Sequence, residues 1–159
     1  LMHQKDELFK SLEIMIQGMK KMDVPIIWME QIPSKLGSTT DRIAALMEGR
    51  KPIEKFSFSC CAEPKFMDVF NTLERDQVLI TGIETHICVF QTGMELMEKG
   101  CRVQVVSDCV SSRTKENKQV GLDRLARAGA QITSVEMAFF ELMKAAEGDR
   151  FRQVVKLIK

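Results

Sequence analysis

Short apolar runs alternate with longer stretches of helical periodicity along the whole chain, and this alternation limits the fold more than any other feature. Residues 6–22 place Leu8, Leu12, Met15, Ile16 and Met19 at the spacing of an amphipathic helix. Pro25 then introduces Ile26, Ile27, Trp28 and Met29, short and apolar like a buried strand. Residues 31–39 read as a loop through Pro33 and Gly37, and 41–47 as a short helix. A helix over 64–73 leads into residues 77–82, Gln-Val-Leu-Ile-Thr-Gly, a strong strand signal. Thr85 stands where it would cap a helix running to Lys99, with Ile87, Phe90, Met94 and Met97 on one face and Gly100 ending it. Residues 102–106 form the next strand and 108–113 its exit loop. A helix over 115–128 stops at Gly129, residues 131–133 form a short strand, Ser134 caps a helix to about Ala146, and the tail over 150–157 is helical. Strands interleaved with helices of this length make βαβ units. The fold class predicted is α/β: a three-layer α/β/α sandwich with a mostly parallel, doubly wound sheet. One domain is expected over residues 1–159, a length that buries about two-thirds of the unfolded surface.

Charge and composition narrow the function classes. A net charge of +1 gives no footprint for nucleic acid or an acidic membrane surface. The apolar runs are strand-sized, too short to span a bilayer. Five cysteines is an odd count, and their spacing fits neither a disulfide framework nor a zinc module. Adjacent Cys60 and Cys61 cannot readily bridge each other. Reduced thiols in the cytoplasm are therefore expected. With His3 and His86 the only two histidines, no metal site and no cofactor are expected.

Ligands of doubly wound sheets sit at the carboxyl ends of the strands. Three strand ends carry unusual residues: Glu30 and Gln31, Gly82 to Cys88, and Asp108 to Arg113. The middle segment puts Cys88 in the first turn of a helix just past a buried strand. Free N–H groups and the helix dipole favour a thiolate there, and the same groups can hold an oxyanion. On local physics alone a second reading stays open, in which Cys88 is one more small buried hydrophobe. Glu30 and Gln31 are readable as substrate contacts or as loop braces. Asp108 is expected to hold the Ser111–Ser112 loop through hydrogen bonds. Cys60, Cys61, Cys101 and Cys109 lack the helix-start setting and are expected to be inert.

The segment Gly82-Ile-Glu-Thr-His-Ile-Cys88-Val, followed by residues 100–108 and by Ser111-Ser112-Arg113, resembles the signature of the isochorismatase-like cysteine hydrolases. Glu30-Gln31-Ile32-Pro33 through Gly37 and the closing residues 151–159 are similar to the isochorismatase domain-containing subgroup. The resemblance spans nearly the whole chain and implies an Asp–Lys–Cys triad. It assigns the nucleophile to Cys88 and the lysine to Lys55, in Glu54-Lys55-Phe56-Ser57. It further implies a cis peptide joining Ile83 to Glu84, with the N–H groups of Glu84 and Cys88 forming an oxyanion hole. The family's aspartate closes an apolar strand ending in Asp-x-Gln. The sequence instead opens on Leu1-Met2-His3-Gln4-Lys5-Asp6, so the domain is expected to lack that N-terminal strand, and Asp6 is expected to cap a helix rather than serve as base. The histidines do not match the Asp-x-His metal pattern of nicotinamidases. The resemblance thus implies a metal-independent, cysteine-dependent hydrolase of a small carbon–nitrogen substrate, acting through a thioester and assembling as a dimer or larger homo-oligomer. The alternative is a catalytically impaired protein that keeps the fold as an interaction scaffold.

Overall fold

The computed structural model describes residues 1–159. In chain order it contains α1 (Lys5–Lys21), β1 (Met29–Gln31), the short helices α2 (Pro33–Leu36) and α3 (Asp41–Ala44), β2 (Ile53–Lys55), α4 (Pro64–Thr72), β3 (Gln77–Ile83), α5 (Phe90–Glu98), β4 (Arg102–Ser111), α6 (Lys115–Ala128), β5 (Gln131–Thr133), α7 (Val135–Met143) and α8 (Gly148–Ile158). Tight turns at Ala45–Met47 and Cys60–Ala62 follow α3 and precede α4, and a wide turn, Thr85–Val89, joins β3 to α5.

Every strand pairing is parallel. β1 pairs with β2, and β3, β4 and β5 form a second ladder in that order. Side chains alternate across the strands and feed two cores. Val78 and Ile80 of β3 and Val103 and Val105 of β4 face one core, with Phe66, Leu96, Leu122 and Leu125 from α4, α5 and α6. Leu79 and Val106 face the other, with Met15, Met19, Phe139 and Val154 from α1, α7 and α8. Residues 24–29 divide in the same way, Ile27 and Met29 to the first core and Val24 and Ile26 to the second. Both ladders therefore lie in one layer between two layers of helix, the sandwich that the sequence predicts.

Local chemistry fixes several boundaries. Ser134 accepts a hydrogen bond from the Met137 N–H at 3.2 Å, and Thr114 from the Asn117 N–H at 3.2 Å, capping α7 and α6. Gly129 ends α6 at φ 110°, a conformation that favours glycine.

Other expectations fail for physical reasons. The strand expected at 26–29 begins only at Met29, because its ladder partner β2 is three residues long. The exit loop expected at 108–113 is strand as far as Ser111. The ladder register jumps between the pairs Ile80–Val105 and Gly82–Val110, so polar Ser107 and Asp108 bulge outward while the strand resumes. Asp108 does not hold the Ser111–Ser112 loop. Its carboxylate accepts the Val135 N–H at 3.0 and 3.3 Å and so caps α7. Asp6 is not a cap: the chain enters α1 through Gln4 in left-handed conformation, which leaves Asp6 in the first turn, where its charge meets the helix dipole.

Thr85 does not cap a helix either. Val89 N–H reaches back five residues to Glu84 O at 3.2 Å, and this wide winding leaves the fully buried Thr85 hydroxyl without a partner. The turn is pressed against α6 at Gly121, where an added methyl would stand 2.9 Å from His86 Cα and N and from Thr85 C. All three are backbone atoms and cannot swing aside. Gly121→Ala should therefore lower stability by about 1–3 kcal/mol from overpacking, although alanine is the better helix former by about 1 kcal/mol. A thermal melt checks the sign: a raised Tm would mean that the turn yields to α6.

Candidate active site

The carboxyl ends of β1, β2 and β3 converge on one polar cluster. Lys55 ends β2, Gln31 ends β1 in register with it, and Cys88 lies in the wide turn after β3. Lys55 is only 4% exposed. Its Nζ donates to Ser57 O at 2.9 Å, to Phe58 O at 2.8 Å and to Gln31 Oε1. Three ammonium protons thus meet three oxygens, none of which carries a formal charge. The fourth neighbour is Cys88 Sγ at 3.7 Å, the only one of the four able to hold a full negative charge.

Gln31 is fixed at both ends of its amide. Its Nε2 donates to Phe56 O at 2.8 Å, and its Oε1 faces both Lys55 and the Cys88 thiol, the latter at 3.9 Å. Of the two β1 residues read as substrate contacts, Gln31 therefore meets the thiol, whereas Glu30 points to the opposite side of the strand. Glu30 is buried, and its Oε1 accepts the Thr39 N–H at 2.7 Å, while the Thr39 hydroxyl accepts Trp28 Nε1 at 2.8 Å. Glu30 braces the loop after β1.

The Ile83–Glu84 peptide is cis. Glu84 N–H makes no hydrogen bond to another backbone group. Its carboxylate turns outward to Arg113, accepting the backbone N–H at 3.0 Å and Nε at 3.2 Å. That pair ties the segment beyond β4 to the turn that carries Cys88. His86 Nδ1 lies 3.0 Å from the hydroxyl of buried Ser112, and His86 makes no hydrogen bond to Cys88.

Sequence reasoning passed over Arg113 as a partner for Glu84, although opposite charges at the ends of adjacent strands are a readable signal. It also passed over the Ser57 and Phe58 carbonyls, which no sequence pattern reveals. Phe56 and Phe58 stand 75% and 53% exposed on the same loop and lay apolar surface beside the polar cluster.

The other four thiols are held in their protonated form. Burial pushes Cys61 up to about 11 and raises Cys60, Cys101 and Cys109 as well. No group of three or more His, Cys, Asp or Glu side chains gathers at metal-ligand spacing. No helix is long and apolar enough to cross a membrane. A separate depression of about 350 Å³, lined by His3, Glu7, Ser107, Asp108 and Lys118 among others, includes neither Cys88 nor Lys55.

Comparison with known proteins places this chain among relatives. The isochorismatase domain model matches residues 1–137. The secreted isochorismatase effector Isc1 of Phytophthora sojae is 41% identical over 149 residues, covering 91% of this chain and 71% of its own. Isochorismatase domain-containing protein 2A of mouse is 34% identical over 146 residues, covering 91% and 69%. Among solved structures, the MAR1 ribonuclease of Caenorhabditis elegans superposes with a TM-score of 0.92 at 31% identity, over 99% of this chain and 81% of that one. The YcaC product of Escherichia coli, described as an octameric hydrolase of unknown specificity, shares the fold at a TM-score of 0.89 and 18% identity, over 96% and 76%.

Proposed function

The chain belongs to the isochorismatase domain family and is a hydrolase of that family; on that premise we propose that Cys88 attacks the carbonyl of a small amide, carbamoyl or ureido substrate. The observation that carries the reading is the buried Lys55 ammonium 3.7 Å from Cys88 Sγ. A positive charge held there by neutral carbonyls draws a sulfur anion as its counter-ion. Sulfur then bonds to the carbonyl carbon, and the oxygen gains charge facing the N–H groups of Glu84 and Cys88. Collapse of that intermediate breaks the carbon–nitrogen bond, and the nitrogen takes a proton from water as it leaves as amine or ammonia. Water attacks the resulting thioester, the carbon–sulfur bond breaks, and the acyl group is released as an acid while the thiol is restored. Gln31 serves as the positioning amide, with Phe56 and Phe58 offering contact to an apolar substituent.

The nematode neighbour is named a ribonuclease. The net charge of this chain, 23 basic against 22 acidic residues, gives an RNA reading no support. The octameric description of the bacterial neighbour supports a homo-oligomeric assembly here.

Selective alkylation tests the reading. Iodoacetamide at neutral pH should modify Cys88 first, because thiolate is the reacting form and a thiol near 11 such as Cys61 is about 10⁻⁴ ionised. Peptide mass spectrometry over a time course resolves the five cysteines. Labelling of Cys88 no faster than of Cys101 would sink the activated-nucleophile reading.

A further inference from the structure

Cys60 is the one thiol outside the hydrolytic cluster that the fold brings up against it. Its backbone N–H donates to Thr92 Oγ1 at 3.0 Å. Thr92 lies four residues beyond Cys88 along the same helical run, so the two side chains share a face. From the other side, the loop leading to Cys60 is the one whose Phe58 carbonyl accepts from Lys55 Nζ, itself 3.7 Å from Cys88 Sγ. Cys60 is therefore anchored on both flanks to groups that contact or adjoin the nucleophile.

The geometry points to Cys60 as the resolving thiol for an oxidised Cys88, so that the pair forms a reversible disulfide when the protein meets hydrogen peroxide. This rests on Cys88 being the reactive thiol of the proposed mechanism. In the first step the Cys88 sulfur attacks one peroxide oxygen, the O–O bond breaks, hydroxide leaves, and sulfur becomes a sulfenic acid, oxidised by two electrons while peroxide is reduced. In the second, the Cys60 sulfur attacks the sulfenic sulfur. The S–O bond breaks, the S–S bond forms, and the hydroxyl leaves with the Cys60 proton as water. The balance is two thiols and one peroxide giving one disulfide and two waters.

Cys60 suits this role better than its neighbours do. Cys61, although adjacent, is a member of the first core beneath α4 and α5, and its N–H is spent on Ser59 Oγ at 3.2 Å. Burial raises the Cys60 thiol, opposed by the Thr92 hydroxyl and by the Lys55 charge, so it remains a thiol until an electrophilic sulfur appears beside it. Closing the bridge requires the Cys60 side chain to swing from Thr92 toward Cys88, whose charge bears on the Cys60 thiol, into the narrow range of separations that a disulfide allows. Its chemical meaning is protection, since a sulfenic acid left alone oxidises further to an irreversible sulfinic acid.

Peroxide treatment of the full chain, followed by blocking of free thiols and non-reducing tryptic mass spectrometry, tests the proposal. The expected product joins the peptide of residues 56–65 to that of residues 76–99, and dithiothreitol reverses it. In Cys60→Ser the link should be lost and Cys88 should accumulate as sulfinic acid, whereas Cys61→Ser should keep the link. Persistence of the link in Cys60→Ser overturns the proposal, as does sulfinic acid on Cys88 in the unaltered protein with no cross-link. The unaltered protein carries the test even where a variant folds poorly. If iodoacetamide still labels Cys88 first while no link forms, only the redox step fails; if Cys88 is neither labelled first nor oxidised, the nucleophile reading fails with it.

Discussion

Cys88→Ala should abolish turnover of any amide, carbamoyl or ureido substrate, lowering kcat/KM by at least about 10⁴-fold. No other group in the cluster can form the covalent intermediate: Lys55 presents an ammonium to three oxygens, and Gln31 is an amide. The fold should survive, because Cys88 is half-buried at the carboxyl end of the sheet and belongs to neither core. Ammonia or amine release from a panel of small substrates, measured beside a thermal melt, separates the two effects. Residual activity within tenfold of the parent in a folded Cys88→Ala would remove the thioester from the mechanism.

Lys55→Met should strike stability and reactivity together. A methionine fills similar volume but offers no donor, leaving Ser57 O, Phe58 O and Gln31 Oε1 without the proton each now receives. Acceptors orphaned in a part-buried setting such as this should together cost about 1–3 kcal/mol. The same change removes the positive charge facing Cys88 Sγ, and the rate of iodoacetamide labelling at Cys88 should fall by about 10²-fold or more. Denaturant midpoints and labelling kinetics on one preparation give both numbers. A variant that is more stable and equally reactive would show Lys55 to be a structural lysine whose charge the site does not use.

How far the sequence reveals this protein depends on the range of the forces involved. β5 and α6 are legible to the residue because Gly129 and the apolar period act locally. The two cores follow from alternation in β3 and β4. The bulge in β4 is invisible, since Ser107 and Asp108 look like a loop and only pairing with β3 shows that the strand resumes. Caps misread at Asp6 and Thr85 share a cause: tertiary contacts, from Ser112 to His3 and from Gly121 to the wide turn, set where each helix begins. Within the site, Cys88 stands out from its place after a strand, but Lys55 has no local mark. Its neighbourhood exists only after β2 is laid beside β1, and resemblance rather than pattern singled it out. Glu30 and Gln31 were indistinguishable as neighbours in sequence, and the pleat of one strand sends one to a loop and the other to the thiol.

Glu84 divides its work between backbone and side chain, and this bears on how the position can change over evolutionary time. Every residue except proline brings an N–H to that peptide, so the amide proposed for the oxyanion hole places almost no demand on residue identity. The demand comes from the carboxylate, which holds Arg113 and with it the segment after β4. The dependence is one-sided: an acid at 84 keeps the backbone N–H of residue 113 whatever side chain stands there, whereas a guanidinium at 113 loses this partner once the acid is gone. Arg113 should therefore be the more replaceable of the two.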